Sequence, residues 1–200
     1  TASEDFDNLA SMLVALGNAG TSTEGAILEL TSRLVGAGTQ AGLTEDEIFG
    51  LGAALANAGV EAQAGGTAWS KVLRGMNDAA IDGGVTLNEF ARIAGMSAQE
   101  FATAFKQEPT KAIMAFVAGL GEMQKSGQST TAVFETLEMT DSRLIASVTA
   151  LALQTEKTAG AFALAHHEYG SGQAIIEEYS KKAATTANEY ETASAVNGSF

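Results

Sequence analysis

Apolar residues recur at every third or fourth position along most of the chain, which is the spacing of one face of an α-helix. The stripes lie at residues 9–16, 27–34, 48–55, 69–76, 87–93, 101–105, 113–120, 133–137 and 144–151. Runs in which apolar and polar residues alternate, the pattern typical of strands, are absent from the sequence. The pattern therefore predicts an all-α protein, a multi-helix bundle of short helical hairpins that leads into a longer C-terminal helix.

Three of the predicted helix starts share one sequence pattern: a glycine, a Thr or Ser two residues later, and a Glu three residues after that. The copies are Gly42, Thr44 and Glu47; Gly84, Thr86 and Glu89; and Gly95, Ser97 and Glu100. In such a capping box the hydroxyl accepts from a backbone N–H of the first turn, and the glutamate accepts from the N–H of the capping residue. The glycine suits the left-handed turn that ends the preceding helix. Each copy therefore predicts a boundary between two helices.

The segment from Gly59 to Trp69 predicts another boundary. We expect Gly59 to end one helix. Gly65 and Gly66 predict a tight turn, after which Thr67 caps the helix that carries Trp69. A phosphate-binding loop is the alternative for a Gly-Gly-Thr sequence, but such a loop needs a preceding strand and a Gly-Lys-Thr ending, and the sequence provides neither. For the single tryptophan, burial in a core is favoured over a place in a partner-binding groove.

The single proline and four of the six methionines have structural interpretations. Pro109 suits the first turn of a helix, where its missing N–H would have no partner. The four methionines lie at helix starts or on apolar stripes, where this flexible side chain usually fills gaps in a core. They are Met96, Met114, Met123 and Met139. A methionine-lined binding groove is the alternative.

Composition limits the possible chemistry. The chain has 200 residues, 46% of them hydrophobic, no cysteine and a formal net charge of −13. The lack of cysteine excludes disulfides, thiolate metal sites and a cysteine nucleophile. Residues 1–65 hold nine acidic residues and one basic residue. Because no basic patch is present to neutralise phosphates, we expect no direct nucleic-acid binding by this segment.

Two groups of residues resemble functional sites. His166, His167 and Glu168 have the side chains of a metal site, but neighbouring residues of a helix diverge by about 100° and do not share one ion. We therefore expect a helix-surface or interhelical contact there. The acidic pairs Asp46/Glu47 and Glu177/Glu178 could form a catalytic dyad, but they are expected on exposed helix starts, where they complement the helix dipole. We expect no catalytic residue, metal or cofactor.

The order and spacing of the segments resemble the conserved core of phage tail tape-measure proteins. The segments are residues 59–73, 90–101 and 105–120, preceded by 24–38 and 43–48 and followed by 187–193. The resemblance as a whole covers roughly residues 8 to 193. A single capping box is common, whereas the ordered series is specific. The positions that carry it, called here the signature residues, are Thr44, Glu47, Gly59, Gly65, Gly66, Trp69, Gly95, Ser97, Glu100, Phe101, Pro109 and Phe116.

The resemblance implies a structural protein of a phage or prophage, not an enzyme. Proteins of this family act in tail assembly, tail-length determination and genome delivery. The implied partners are the tail tube protein, tail assembly chaperones and tail-tip or baseplate proteins, with self-association of the full-length protein. The implied location is the lumen of the tail tube in the virion, and the host cytoplasm during assembly. Besides solubility, the acidity then has a second explanation, repulsion of DNA in the same compartment.

We expect two regions in the chain. Residues 1–160 are predicted to form a helical-hairpin core domain. Residues 161–200 are predicted to begin a long helix or coiled-coil extension, because a helical stripe runs from Ile175 to Tyr190, and we expect the extension to continue beyond this sequence. Two other interpretations stay open. One is a membrane-active or partner-docking helical module released at infection, with membrane contact only then. The other is a non-catalytic part of a chain that carries a cell-wall hydrolase elsewhere.

Overall fold

The computed structural model describes the backbone of residues 2–171 and the side chains from residue 6 onward. This part of the chain contains ten α-helices and no strand, and 82% of its residues are helical, so the prediction of an all-α bundle is confirmed. The helices are α1 (Ala2–Ala19), α2 (Glu24–Gln40), α3 (Glu45–Asn57), α4 (Ala62–Asp82), α5 (Gly84–Ile93), α6 (Ala98–Gln107), α7 (Pro109–Lys125), α8 (Thr131–Thr136), α9 (Ser142–Ala152) and α10 (Thr155–Ser171).

Helix α3 is covered on two sides. It packs against α2 on one side and against α10 on the other, and α1 packs mainly against α10. Helix α4, the longest of the helices described, joins this group to the rest because it packs against α2 as well as against α5, α6 and α9. Helices α5, α6 and α7 pack against one another, and α8 lies against α5. The chain thus forms two neighbouring groups of helices that share α4.

One continuous hydrophobic core runs through both groups. Trp69 is completely buried in it, so the core interpretation of this residue is confirmed. Phe90 lies between two signature residues: its ring centroid is 5.9 Å from that of Phe101, in a stacked arrangement, and 5.2 Å from that of Phe116, edge to face. Met139 is buried, and the other three methionines considered above are partly buried against the core.

Two of the three predicted capping boxes are present. The backbone N–H of Thr44 donates to Glu47 over 2.8 Å at the start of α3, and that of Ser97 donates to Glu100 over 2.8 Å at the start of α6. Pro109 is the first residue of α7, as predicted. Gly42 and Gly95, which have positive φ, precede the two boxes. Gly59, also with positive φ, follows the end of α3.

The third predicted box, at Thr86, is wrong. Helix α5 already begins at Gly84, so Thr86 is its third residue and caps nothing. The reason lies in Gly83 and Gly84, which both have positive φ, 76° and 78°, and reverse the chain earlier than a hydroxyl cap at residue 86 would. Glu89 instead forms an ion pair with Arg92, with 2.7 Å between Oε1 and the guanidinium nitrogen.

The predicted turn at Gly65 and Gly66 is also wrong. Helix α4 begins at Ala62, and the carboxylate of Glu61 caps it by accepting from two backbone N–H groups of the first turn. Both glycines are buried inside the helix. A Cβ added to Gly66 would lie 2.7 Å from Cβ of Arg33 on α2. The glycine therefore permits close packing of α4 on α2, and the hydroxyl of Thr67 donates to a carbonyl one turn back.

The predicted domain boundary between residues 160 and 161 lies inside α10. This helix is continuous across it, and Ala161, Phe162 and Ala165 are buried in the core. The apolar stripe from Ile175 to Tyr190, like the pair Glu177/Glu178, lies outside the described residues.

We predict that Gly119→Ala destabilises the protein. Gly119 of α7 faces the end of α5, and a Cβ there would overlap the carbonyl oxygen of Ile93, a backbone atom that cannot move aside cheaply. Such overpacking costs roughly 1–3 kcal/mol or more.

Gly160→Ala in α10 is the matched control. Nothing lies within 4 Å of its Cβ position, so alanine should raise stability by about 0.5–1 kcal/mol. Urea denaturation of both variants measures the two effects, and equal effects would contradict the packing argument.

Candidate functional site

Asp46 and His166, which the sequence raised as candidate chemistry, meet where the start of α3 lies beside the last described turns of α10. His166 contacts Asp46, and Tyr169 contacts Glu45. Thr44, the residue before α3, completes the group. We call these five residues the α3–α10 polar cluster.

The two helices run antiparallel and approach closely at a glycine. A Cβ added to Gly50 of α3 would lie 2.9 Å from Cα of Phe162 on α10. Any larger residue at position 50 would push α10 away from α3. Because residues four apart lie on the same face of a helix, this contact places Asp46 and His166 opposite each other one turn further along.

The geometry of the cluster centres on the carboxylate of Asp46. Its side chain is only 6% exposed, whereas that of His166 is 85% exposed. Oδ2 of Asp46 lies 2.8 Å from Nδ1 of His166, and Oδ1 accepts a hydrogen bond from the hydroxyl of Thr44. Nearer the surface, the hydroxyl of Tyr169 donates to Oε2 of Glu45 over 2.9 Å. The cluster thus fastens the end of α10 to the start of α3.

Two opposing effects set the protonation of Asp46. Burial by itself would raise the pKa of this carboxyl, but the hydrogen bonds from Thr44 and His166 outweigh it and hold the pKa of Asp46 below its usual value. Asp46 is therefore a buried carboxylate stabilised by its donors. The sequence-based placement of Asp46 on an exposed helix start is wrong.

The arrangement joins helices and does not activate a nucleophile. In a hydroxyl–imidazole–carboxylate relay the hydroxyl is bonded to the imidazole, which removes its proton. Here the Thr44 hydroxyl and the His166 ring both bond to the same carboxylate, Asp46. The predicted interhelical contact is thus found at His166. Nδ1 of His167 lies 3.1 Å from Oε1 of Glu168, the next residue of the same helix. Within residues 2–171 no three His, Asp or Glu side chains are placed to hold a metal ion.

A second polar contact between distant segments was missed by the sequence analysis. Oδ1 of Asn57, at the end of α3, accepts from the backbone N–H groups of Thr21 and Ser22 at 2.9 and 3.1 Å and from the Ser22 hydroxyl at 2.8 Å. One side chain therefore holds the turn between α1 and α2. The only sequence signal is the partial repeat of residues 16–20 at residues 55–59, which does not identify a contact.

The signature residues form three groups in the described structure. Thr44 and Glu47 form the capping box at the start of α3, and Gly59 follows its end. Others, the two glycines and Trp69, lie on the inner side of α4. The rest, from Gly95 to Phe116, form the α5–α6 turn, the start of α7 and the aromatic contacts of the core. Their role in the structure is to end, begin and pack helices.

We predict that Asp46→Asn lowers stability at neutral pH by about 1.5–3 kcal/mol, as expected for a hydrogen bond to a charged group. Because the pKa of Asp46 is depressed by folding, its contribution is present above the unfolded pKa of about 3.9 and is lost as pH falls through the folded pKa. Wild type and variant should therefore converge in strong acid. Urea denaturation between pH 7 and about pH 2 measures this, with Glu24→Gln, at the exposed first residue of α2, as the control. A constant difference at every pH would refute the role of the carboxylate.

Comparison of the whole chain with protein-family models, curated proteins and solved structures finds no match. Among the helices between residues 2 and 171, none combines the length and the apolar character needed to cross a bilayer. The functional argument thus depends on the sequence motifs and on the fold that they specify.

Proposed function

We propose that this chain is the helical core segment of a tail tape-measure protein from a long-tailed phage or prophage. The observation that carries the proposal is the ordered series of glycines, capping boxes and aromatic residues between residues 42 and 120, flanked by further similar segments on both sides. The proposed protein is structural and acts in tail assembly, tail-length determination and genome delivery.

The positions of the signature residues support this proposal. Ser97 and Glu100 cap α6, Trp69 is completely buried, and Phe101 and Phe116 contact the same buried ring. Residues in such positions are constrained by folding, which supports the interpretation of the series as part of a folded unit. The all-helical fold agrees with the helical core that the resemblance implies.

Within such a protein, we assign docking or initiation of assembly to the folded helices. A continuous helix is a good ruler because each residue adds about 1.5 Å. A bundle such as that of residues 2–171, in which ten helices fold back on one another, does not convert residue number into length in this way. The proposed partners are the tail tube protein, assembly chaperones and tail-tip proteins, and the proposed location is the lumen of the tail tube. The net charge of −13 would repel DNA that enters the same tube.

We predict different outcomes for two deletions in the parent gene. Removing residues 42–120 should block tail assembly or infection, because these residues include α3 to α6, most of α7 and all twelve signature residues. Removing the same number of residues from a downstream coiled-coil region is the matched control. It should shorten the tail by about 1.5 Å per residue and leave assembly intact.

Electron microscopy of the tails, combined with plaque assays, distinguishes the two outcomes. Infectious particles whose tails are only shorter after deletion of residues 42–120 would mean that this segment belongs to the ruler. A parent gene whose neighbours encode no tail tube or tail-tip protein would contradict the proposal as a whole.

A further inference from the structure

A groove lies between α1 and α10, beside the end of α3. Neither the α3–α10 polar cluster nor the signature residues line it, so it is separate from the contacts described above. Its volume is about 400 Å³, and sites for small molecules measure roughly 300–1,000 Å³. We call it the α1–α10 groove. It is large enough for a small ligand.

The two ends of the groove differ in polarity. Because α3 and α10 run antiparallel, Asn57 at the end of α3 lies near the start of α10, where Lys157 is located. Thr21, whose backbone N–H donates to Asn57, also lies at this end. Away from this end the lining side chains are apolar; they include Leu16, Ala161 and Leu164. The groove thus has the polarity of an amphiphilic ligand, with one polar end and one apolar end.

The polar end offers two donor groups that no described residue uses. Oδ1 of Asn57 accepts three hydrogen bonds from the turn between α1 and α2, and these fix the orientation of the amide. Nδ2 of Asn57 is therefore a donor, and no described residue accepts from it. The ammonium group of Lys157 is exposed and forms no ion pair with the residues that the structure describes. A carboxylate is the acceptor that suits such a pair of donors.

We propose that the α1–α10 groove binds an unbranched aliphatic carboxylate, that is, a medium-chain fatty acid. The carboxylate accepts from Lys157 and from Nδ2 of Asn57, and the chain lies along the apolar end. Helix α10 rises about 10.5 Å between residues 157 and 164. An extended hydrocarbon chain advances about 1.25 Å per carbon, so the groove accommodates roughly eight carbons.

The lining favours a hydrocarbon chain over a peptide that ends in the same carboxylate. The backbone N–H and C=O groups of a peptide need partners when they leave water. Between its two ends the groove is lined by Ala19, Gly160 and Ala161, which have no polar side-chain atoms. A hydrocarbon chain needs no such partners, and each methylene that it buries there should raise the affinity about fourfold.

The local charge permits an anion despite the net charge of −13. None of the residues that line the groove is acidic. Glu156 precedes Lys157 in α10, but neighbouring residues of a helix diverge by about 100°, and Glu156 does not line the groove. At about 0.15 M salt, charges more than about 8 Å away are largely screened. The inference does not depend on the proposed function, because it rests on this groove alone.

Calorimetric titration of the 200-residue chain with sodium octanoate tests the proposal, at about 0.15 M salt and below the concentration at which octanoate forms micelles. We expect a Kd of about 0.1–1 mM. Hexanoate should bind roughly tenfold more weakly, because it buries two methylenes fewer. Dodecanoate should gain less than about twofold over decanoate, because carbons beyond the end of the groove stay in water.

Two substitutions test the donors. Wild type should bind octanoate at least tenfold more tightly than 1-octanol, which has the same chain without the charge, and Lys157→Gln should abolish this difference. Asn57→Asp keeps the oxygen that holds the turn between α1 and α2 but loses the donor, and should also weaken octanoate binding at least tenfold. Lys106→Gln, on the exposed surface of α6, makes the same charge change elsewhere and should have no effect.

A third substitution tests the location. Nothing lies within 4 Å of the Cβ position of Gly160, so the side chain of Gly160→Leu should fill the groove and prevent binding of both octanoate and 1-octanol. Gly36→Leu in α2, where the Cβ position is equally open, is the matched control. Circular dichroism of each variant should show unchanged helix content.

Several outcomes would overturn the inference. They are the absence of octanoate binding by wild type, equal affinities for octanoate and 1-octanol, and equal losses in Lys157→Gln and Lys106→Gln or in Gly160→Leu and Gly36→Leu. An affinity that keeps rising about fourfold per methylene up to dodecanoate would mean adsorption to apolar surface and would contradict a groove of defined length.

Discussion

The close approach of α3 to helices on both sides is the constraint on which the N-terminal half of the fold depends. Gly50 faces α10, where an added Cβ would lie against the backbone and side chain of Phe162. Gly52 faces α2, where an added Cβ would lie against the backbone and side chain of Thr31. Because two residues span about 200° of a helix, glycines at this spacing open opposite sides. Leu51 between them is completely buried. A three-residue sequence thus lets two neighbouring helices come close to one central helix.

This close approach also explains the polar contacts. With α10 held against α3 at Gly50, the carboxylate of Asp46 is removed from water, and it remains charged because Thr44 and His166 supply donors. A buried charge without such partners would be strongly destabilising. The fastening of α10 is therefore a consequence of backbone packing one turn away, and packing and polar contacts stabilise the same helix pair together.

The sequence predicts features whose causes are local and fails where the cause is distant. The caps of α3 and α6 depend on side chains three residues from the groups that they satisfy, so their positions follow from the sequence. Gly66 has the local features of a turn, and only Arg33 on α2 explains why it lies inside a helix. The local sequence predicts that Asp46 lies at an exposed helix start, because its partner His166 is 120 residues away. The fold class could therefore be predicted, whereas the polar cluster could not.

The contact of Asn57 has a consequence for the order in which the chain acquires its structure. Three donors of the turn between α1 and α2 bond to a single oxygen, which belongs to a residue 35 or 36 positions further along. During synthesis α1 and α2 leave the ribosome before that acceptor does, so the donors of the turn bond to water until α3 has emerged and packed. The turn between the first two helices is thus completed by the third, and the N-terminal hairpin becomes native only after α3 has packed.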